Sequence, residues 1–300
     1  MIKRNRLLSK LSSPVIHVIV GPTASGKSAH ALALAETHNG VIINADSMQI
    51  YDGLPILTAQ PSDQDTAQRP HYLYGTLHPN DACSAGTWRN MAVRTIETVL
   101  DQGQTPIIVG GTGLYIRALL EGLSPMPAVP DAIRADATQL QKTLGSPAFH
   151  AALQTIDPVM AQRLHPNDSS RLIRAYEIFK ATGKSLAEWQ AISPTAPPGH
   201  WQFDIHRIIP ERDELHRRCD ERFVSMLEQG ALEEVEDFSS RIERGEISAD
   251  APLTKALGFQ PVRDYLKGII PKNEAIARSQ AETRQYAKRQ ITWFRNQIKL

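Results

Sequence analysis

Short runs of β-branched apolar residues alternate with helical stretches over the first 120 residues of the chain. Val15–Val20 is such a run and predicts a strand that is buried on both faces of a parallel sheet. Val41–Asn44 and Pro106–Val109 predict two further strands of the same kind. Helical stretches, Lys27–Thr37 and Thr87–Leu100, follow the first and second strands. This alternation predicts an α/β fold, in which a parallel sheet is flanked by helices.

The pattern changes in the middle of the chain, where two proline-rich segments occur. Residues 124–130 contain three prolines and residues 194–199 contain another three, so no helix continues through either segment. Between them the apolar spacing is helical almost throughout, over Asp131–Leu144, Asp157–Leu164 and Ser169–Thr182. The segment between the prolines is therefore expected to be a mainly helical insertion.

The domain organisation follows from this insertion. We expect a core domain that carries the phosphate loop and consists of residues 1–123 and 200–300, with a C-terminal basic helix. We expect residues 124–199 to form the helical insertion domain, with a part in RNA binding if the substrate is RNA. After the insertion, the pattern predicts one returning strand and three helices: Phe203–Ile209, Glu211–Gln229, Leu253–Leu266 and Asn273–Ile298.

Composition narrows the class of protein. The chain of 300 residues is 41% hydrophobic and 22% charged, which is typical of a globular protein. No apolar run approaches the roughly 20 residues that a spanning helix needs, and two cysteines make neither a disulfide framework nor a zinc site. We therefore expect a cytoplasmic protein without a membrane association. The net charge of +1 means that any nucleic-acid surface must come from local clustering of cations.

One segment carries a specific chemical signal, the pattern G-x-x-x-x-G-K-[ST] between a strand and a helix. Its glycines allow successive backbone N–H groups to face an anion, and the helix N-terminus adds a favourable dipole. Lys27 is expected to reach the phosphates, and the Ser28 hydroxyl is expected to bind Mg²⁺. We therefore predict a site for a diphosphate or polyphosphate, formed by Gly21, Pro22, Thr23, Ala24, Ser25, Gly26, Lys27 and Ser28.

A second candidate is an acidic residue at a strand end. Enzymes that use this loop with a nucleotide carry a metal-binding aspartate at the end of another strand. Here the strand over residues 106–109 runs into Gly110 and Gly111 without an acid, which weakens a nucleotide-hydrolysing function. Asp46 follows the second strand and lies at the sheet edge where ligands bind in α/β proteins. Asp46 is therefore a candidate site residue, and the alternative is an exposed loop acid.

Five blocks in this order resemble the tRNA dimethylallyltransferase family, and the resemblance, to the bacterial type, covers nearly the whole chain. The phosphate loop is common to many enzymes, whereas the other four blocks are specific to the family. The chain departs from the family at residues 57–61, where Leu57 and Gln60 replace the usual glycine and lysine, so no role is assigned to Gln60. The matching blocks are residues 21–28, 46–51, 110–123, 170–177 and 288–295.

The resemblance implies the activity and the catalytic residues. The family transfers a dimethylallyl group from dimethylallyl diphosphate to the exocyclic amine of an adenosine in tRNA. That adenosine lies just 3′ of the anticodon in tRNAs that read codons beginning with U. By this resemblance Asp46 is the general base, Thr23 binds the bridging oxygen, and Lys27 stabilises the diphosphate. Arg222 matches an arginine that reaches the diphosphate, and Arg218, one helical turn earlier, is the alternative.

The same resemblance, together with the pattern of the last helix, indicates a tRNA surface. Between Arg278 and Lys299 there are six basic residues and one acid, and a basic stripe runs beside an apolar stripe. This arrangement packs one side on the protein and presents the other to phosphates. The stripe comprises Arg284, Lys288, Arg295 and Lys299. The residues that match tRNA-binding segments are Asp46, Ser47, Met48, Gln49, Thr112, Arg134, Ser170, Arg171, Leu172, Ile173, Arg174 and Lys255.

The partners are therefore expected to be dimethylallyl diphosphate and the anticodon stem-loop of tRNA, bound by a monomer. Three alternatives remain at the level of sequence. An adenylate isopentenyltransferase would use a free nucleotide and would need neither the insertion nor the basic helix. A small-molecule kinase would turn over ATP, and a nucleotide-binding regulator would catalyse nothing. The ten histidines have no metal-ligand spacing, which favours structural roles for them.

Overall fold

The computed structural model describes residues 13–298, which contain one parallel sheet of five strands. The strand order is β3-β2-β4-β1-β5, and each neighbouring pair is parallel. His17 of the first strand aligns with Ile107 on one side and Asp204 on the other, so β1 lies inside the sheet. The predicted α/β fold is confirmed. The strands are β1 (Val15–Val20), β2 (Gly40–Asn44), β3 (His71–Tyr72), β4 (Thr105–Gly110) and β5 (Gln202–Arg207).

Both faces of the sheet are covered, because successive residues of the central strands point to opposite sides. Ile19 packs with Ala31 and Ala35 of the first helix, whereas Ile16 and Val18 belong to the larger core on the other face. Among the described helices, none is both long and apolar enough to cross a membrane. The helices before the insertion are α1 (Lys27–Thr37), α2 (Pro55–Thr58), α3 (Asp63–Gln68), α4 (Ala85–Asp101) and α5 (Gly113–Leu120).

The chain separates into two compact units. The first runs up to Leu120 and resumes at Pro197, and the second is Glu121–Ala196. The second unit has its own core, in which Phe149 and Leu172 are fully buried. Its helices are α6 (Asp131–Ile156), α7 (Pro158–Arg163), α8 (Ser169–Thr182) and α9 (Leu186–Ala191).

Helix α6 is longer than the pattern predicts. The predicted helix ends at Leu144, and the structure has helix on both sides of a break at Gly145. Gly145 has φ 73° and ψ 164°, a conformation that only glycine adopts easily, and Pro147 starts the next turn. The glycine and proline therefore mark a kink between two helical segments, where the sequence pattern predicted an end.

The final part of the chain returns to the first unit. The prediction of a single helix over Leu253–Leu266 is wrong, because a short 3₁₀ turn over Pro252–Lys255 precedes the α-helix and Gly258, with φ 83°, separates the two. The helix over Ala231–Glu243 was not predicted. The helices of this part are α10 (Arg212–Glu228), α11 (Ala231–Glu243), α12 (Phe259–Leu266) and α13 (Lys272–Gln297).

Candidate active site

The predicted phosphate loop connects β1 to α1 at the carboxyl edge of the sheet. Gly26 (φ 90°) and Ala24 (φ 61°) take left-handed backbone conformations, which curl the loop around its own centre. The loop lines a cavity of about 490 Å³, whose wall also includes Asp46. The Ser25 hydroxyl is buried there and has no hydrogen-bond partner among the described residues. An unpaired buried hydroxyl beside a curled loop is a donor available to an anion.

Two cationic side chains reach the loop. The Lys27 ammonium donates to the Pro22 carbonyl at 2.6 Å, and Arg222 donates to the Thr23 hydroxyl. Burial lowers the pKa of Lys27 to about 8; the nearby Asp46 opposes this shift, and Arg222 adds to it. Burial also lowers the pKa of Arg222. Both partners of these cations are neutral oxygens, so a bound anion would stabilise the two charges together.

Arg218 lines the same cavity but is held differently. Its Nε donates to Glu214 at 2.6 Å within helix α10, and its side chain is exposed. Of the two arginines considered for the diphosphate, Arg222 thus contacts the loop, and Arg218 carries a carboxylate partner.

Asp46 is positioned by a buried asparagine at the end of β2. The Asn44 side chain accepts from the Asp46 amide at 2.7 Å, and it donates to the carbonyls of Asp46 (3.0 Å) and Leu73 (2.9 Å). The buried Trp88 indole donates to the Asn44 carbonyl at 2.9 Å. One carboxylate oxygen of Asp46 accepts from the Met48 amide at 2.9 Å. Strand β2 therefore ends in a turn whose own hydrogen bonds fix the carboxylate beside the loop.

The last helix closes the loop from the other side through Gln290, which the sequence analysis did not single out. Its amide oxygen accepts from the Thr23 backbone N–H at 2.8 Å, and its amide nitrogen donates to the Gly111 carbonyl at 2.8 Å. A Cβ on Gly111 would lie 2.2 Å from the Gln290 nitrogen, so a larger residue there would displace the Gln290 amide. A polar residue next to the apolar stripe of the last helix was the signal available in the sequence.

A second cavity of about 270 Å³ adjoins the first. Both are lined by Thr23, Asp46 and Arg222, so these residues lie where the two cavities meet. The polar part of its wall includes Tyr286, whose pKa is raised by burial and further by the charge of Asp46. The apolar part of the wall comprises Met48, Leu57, Cys219, Phe223, Met226, Ala256 and Leu257. A cationic cavity and a cavity with a partly apolar wall, which also includes Lys255 and Arg289, therefore meet at Asp46.

Several residues predicted to contact tRNA surround these cavities. The Ser47 amide donates to the Thr112 hydroxyl at 2.9 Å, which joins the turn after β2 to the turn after β4. The Gln49 side chain donates to the carbonyls of Thr58 and Ala59, at 2.8 and 2.7 Å. These contacts hold in place residues 46–49 and Thr112, which together are called the rim of the two cavities.

The cations predicted to contact tRNA in this part of the chain lie near the second cavity and along the last helix. Lys255 is exposed at the second cavity, and Lys288 and Arg295 are exposed on the last helix. Arg284 is paired with Asp220, and Lys299 lies outside the described residues.

The remaining predicted tRNA residues lie in the second unit. Arg171 is 75% exposed and pairs with Asp168 at 3.0 Å, and Arg174 pairs with Glu177. The exposed Ser170 lies on the same helix. Arg134, half exposed, pairs with Asp131 at 3.7 Å and with Glu177 at 3.6 Å.

Leu172 and Ile173, predicted with this segment, pack inward. The Leu172 side chain is fully buried in the core of the second unit, and Ile173 packs against the same core. Both side chains help to hold helix α8 in place, and their part in tRNA binding stays a prediction. Of residues 171–174, the two arginines lie outside this core and carry positive charge.

The fold and this loop define the class of the protein: a P-loop α/β protein whose loop lines a cavity at the carboxyl edge of a parallel sheet. The family model for IPP transferase matches residues 49–297. A tRNA dimethylallyltransferase of Rhodospirillum centenum is 48% identical over 285 residues, covering 95% of this chain and 89% of the relative. One of Paramagnetospirillum magneticum is 46% identical over 292 residues, covering 97% and 90%.

Solved structures give the same result. The full-length tRNA isopentenylpyrophosphate transferase of Bacillus halodurans matches with a TM-score of 0.66 and 33% identity, covering 95% of this chain and 88% of that one. A eukaryotic dimethylallyltransferase acting on tRNA matches with a TM-score of 0.77 and 28% identity, covering 94% and 70%. The chain therefore belongs to the IPP transferase family, and the resemblance found in the sequence is confirmed.

Proposed function

We propose that this enzyme transfers a dimethylallyl group from dimethylallyl diphosphate to the exocyclic amine of the adenosine 3′ of the anticodon, in tRNAs that read codons beginning with U. One observation carries the proposal. A cationic cavity for a diphosphate and a second cavity of about 270 Å³ with a partly apolar wall meet at Thr23, Asp46 and Arg222. The names of the relatives, tRNA dimethylallyltransferase, support the same reaction.

The diphosphate is proposed to occupy the phosphate loop. Lys27, Arg222 and the Ser25 hydroxyl have their polar groups at this loop, and the N-terminus of α1 adds its dipole. Negative charge grows on the diphosphate as the bond from carbon to the bridging oxygen breaks. Groups fixed in advance around that charge stabilise the transition state more than the bound substrate. The Thr23 hydroxyl, which already meets Arg222, is proposed to contact the bridging oxygen.

The dimethylallyl group is proposed to lie in the apolar cavity, between Met48 and Phe223. Five carbons leave water for an apolar wall there, which favours binding by roughly 0.8 kcal/mol for each buried CH₂ group. The same wall keeps water away from the reacting carbon, so the amine rather than water is the acceptor.

Asp46 is proposed to be the general base. The amine nitrogen forms the new bond to the reacting carbon, the carbon–oxygen bond breaks with its electron pair going to the diphosphate, and the amine proton passes to the Asp46 carboxylate. The Asn44 side chain and the Met48 amide hold the carboxylate in one orientation, which suits a base that must meet a proton at a set position. The product is isopentenyladenosine in tRNA.

The residues at the loop suit a Mg²⁺ ion as well. Mg²⁺ prefers oxygen ligands and in phosphate sites is held by one or two protein oxygens together with phosphate oxygens. The Ser28 hydroxyl and the Asp46 carboxylate both line the phosphate cavity, so the protein donors fit. When bound, the ion would neutralise charge on the diphosphate oxygens. Lys27 and Arg222 act on the same charge from the protein.

The tRNA is proposed to bind through its anticodon stem-loop, because the target base must leave the stack to reach Asp46. The proposed contacts are the rim residues Asp46–Gln49 and Thr112, and cations whose charge attracts the phosphate backbone. The cations are Arg134, Arg171, Arg174, Lys255, Arg284 and Lys288, and Ser170 accompanies them.

The test is a transfer assay with radiolabelled dimethylallyl diphosphate and bulk unmodified tRNA, with AMP and ATP in parallel. Label is expected in tRNA and, after digestion, in an adenosine derivative. Label that enters AMP but not tRNA would overturn the tRNA substrate. Phosphate transfer from ATP without prenyl transfer would overturn the reaction class.

A further inference from the structure

Two histidines and an aspartate meet on β1 and β5, away from both cavities. In the parallel register His17 stands opposite Asp204, and Ile19 stands opposite His206. Residues 17, 19, 204 and 206 therefore project from the same face of the sheet. His17 Nδ1 lies 3.0 Å from Asp204 Oδ2 and 3.2 Å from His206 Nε2, and the latter two atoms are 3.1 Å apart.

The three atoms form a nearly equilateral triangle, which is the arrangement found on one face of a metal coordination tetrahedron. With ligands about 2.0–2.1 Å from a Zn²⁺ ion, tetrahedral geometry places ligand atoms about 3.3 Å from each other. The observed separations of 3.0–3.2 Å are close to this. As hydrogen bonds alone, the triangle requires both imidazoles to donate to one carboxylate oxygen.

We propose that His17, Asp204 and His206 form a binding site for a divalent transition-metal ion of the Zn²⁺ type. Two imidazole nitrogens and one carboxylate oxygen suit Zn²⁺ and its neighbours, whereas Mg²⁺ prefers oxygen alone. Asp204 is about half exposed, which leaves the ion open to solvent for entry and for a water as fourth ligand.

The surroundings of the cluster support metal binding. Metal-bound imidazoles usually hydrogen-bond through their other nitrogen to a second group. His206 Nδ1 lies 3.4 Å from His30 Nε2 of helix α1, so His30 is in place to fix the ring of His206. His17 is 8% exposed, so the packing around its ring holds it in place.

This site is separate from the proposed active site. None of the three residues lines either cavity, and His17 precedes the phosphate loop by four positions on an extended strand. Coordination by His17, Asp204 and His206 would join β5, the edge strand of the described sheet, to β1 in the interior of that sheet. A metal ion here would therefore fasten the edge strand and stabilise the first unit, rather than take part in the transfer.

The test uses the full chain, free of any histidine tag and stripped with a chelator that is then removed. Calorimetric titration with ZnCl₂ is expected to show saturable binding of one equivalent, and Co²⁺ should give visible d–d absorption typical of a four-coordinate site. Zn²⁺ should also raise Tm, because an ion that binds only the folded chain stabilises it. Absence of saturable Zn²⁺ binding by the wild type would overturn the proposal.

The variants Asp204→Asn and His206→Gln separate this site from any other, and both side chains are partly exposed, so the fold should tolerate them. Each variant is expected to lower the affinity for Zn²⁺ by at least roughly 10–100-fold, which is the loss measured when a group supporting a metal ligand is removed. His200→Gln is the matched control, since His200 is exposed and outside the cluster. Wild-type affinity in both cluster variants, or equal weakening in the control, would also overturn it.

Discussion

The cations at the phosphate loop and those of the helical unit, which is the second unit Glu121–Ala196, are held in opposite ways. Lys27 and Arg222 are partly buried and contact neutral oxygens, the Pro22 carbonyl and the Thr23 hydroxyl. Arg171, in contrast, is largely exposed and already paired with a carboxylate. A buried charge without an opposite charge is costly, whereas an exposed ion pair contributes only about 0–1 kcal/mol.

This difference separates two kinds of binding. The loop is prepared for one small, highly charged group, because a diphosphate can contact Lys27 and Arg222 directly, whereas Asp46 acts on their charges only from nearby. Arg171 of the helical unit can exchange a weak carboxylate partner for a phosphate at little cost, which suits a large and variable polyanion.

The largest effect is expected at the carboxylate that faces the loop cations. Asp46→Asn keeps the shape of the side chain but cannot accept the amine proton. General-base catalysis contributes about 10²–10⁴-fold, and the single-turnover rate of transfer should fall by that order. Binding of tRNA and of the diphosphate, measured by calorimetry, should change far less.

A titration with Mg²⁺ tests the alternative role of Asp46. If the carboxylate mainly holds the metal, high Mg²⁺ should restore the rate of Asp46→Asn. Full rescue by the ion would contradict the base assignment and leave Asp46 as a metal-site residue.

The next largest effect is expected at Lys27. Lys27→Ala removes one donor fixed in advance at the leaving group, and such donors contribute about 10²–10³ in kcat. The fold should be unaffected, because within residues 13–298 the Lys27 ammonium hydrogen-bonds to the Pro22 carbonyl of its own loop and to no other group. Lys267→Ala is the control: that ammonium forms an exposed pair with Glu243 at 2.9 Å, and its loss should leave kcat unchanged. Equal rates for the two variants would remove Lys27 from the reaction.

A smaller effect is expected at the arginines of helix α8, of which Arg171 is exposed and Arg174 is half-buried. Arg171→Ala and Arg174→Ala should each weaken tRNA binding several-fold and lower the slope of log affinity against log salt by about 0.7–0.9. Affinity for the diphosphate should stay the same. Arg244→Ala removes another exposed, carboxylate-paired arginine and serves as the control. An unchanged salt slope in both α8 variants would return these arginines to an ordinary solvated surface.

The smallest effect is a proton taken up when the diphosphate binds. Burial lowers the pKa of Lys27 to about 8. At pH 8 the Lys27 amine is therefore unprotonated in about half of the free enzyme molecules. A bound anion favours the charged form and raises that pKa, so binding should take up about half a proton at pH 8 and almost none at pH 6. Calorimetry with inorganic diphosphate in buffers of different ionisation enthalpy measures this uptake. Lys27→Gln corrects for protons taken up by the ligand, and an equal uptake in that variant would contradict the assignment to Lys27.

The fold was predictable where local pattern decides it. Strands β1, β2 and β4 are short β-branched runs, and their burial on both faces is what such runs favour. Strand β3 has only two residues, His71 and Tyr72, and neither is buried, so no periodic signal existed. Tertiary contacts rather than pattern set such an element.

The site was predictable in the same degree. The phosphate loop and Asp46 lie next to strands, so their neighbourhood followed from the sheet. Gln290 did not, because its two partners are 267 and 179 positions away in the chain. His17 and Asp204 are separated by 187 positions, and only the pairing of β1 with β5 brings them together. Spacing in the sequence carries no signal for groups that meet across such distances.

The dependence of the phosphate loop on Gln290 has a consequence for the order in which the protein becomes active. Thr23 of the loop is synthesised 267 residues before Gln290. Domains fold as synthesis proceeds from the N-terminus, and a nascent chain that lacks the last helix has the Thr23 amide and the Gly111 carbonyl without their shared partner. The ribosome must therefore reach the helix that carries Gln290 before the loop can take its complete form, so the site matures late in synthesis.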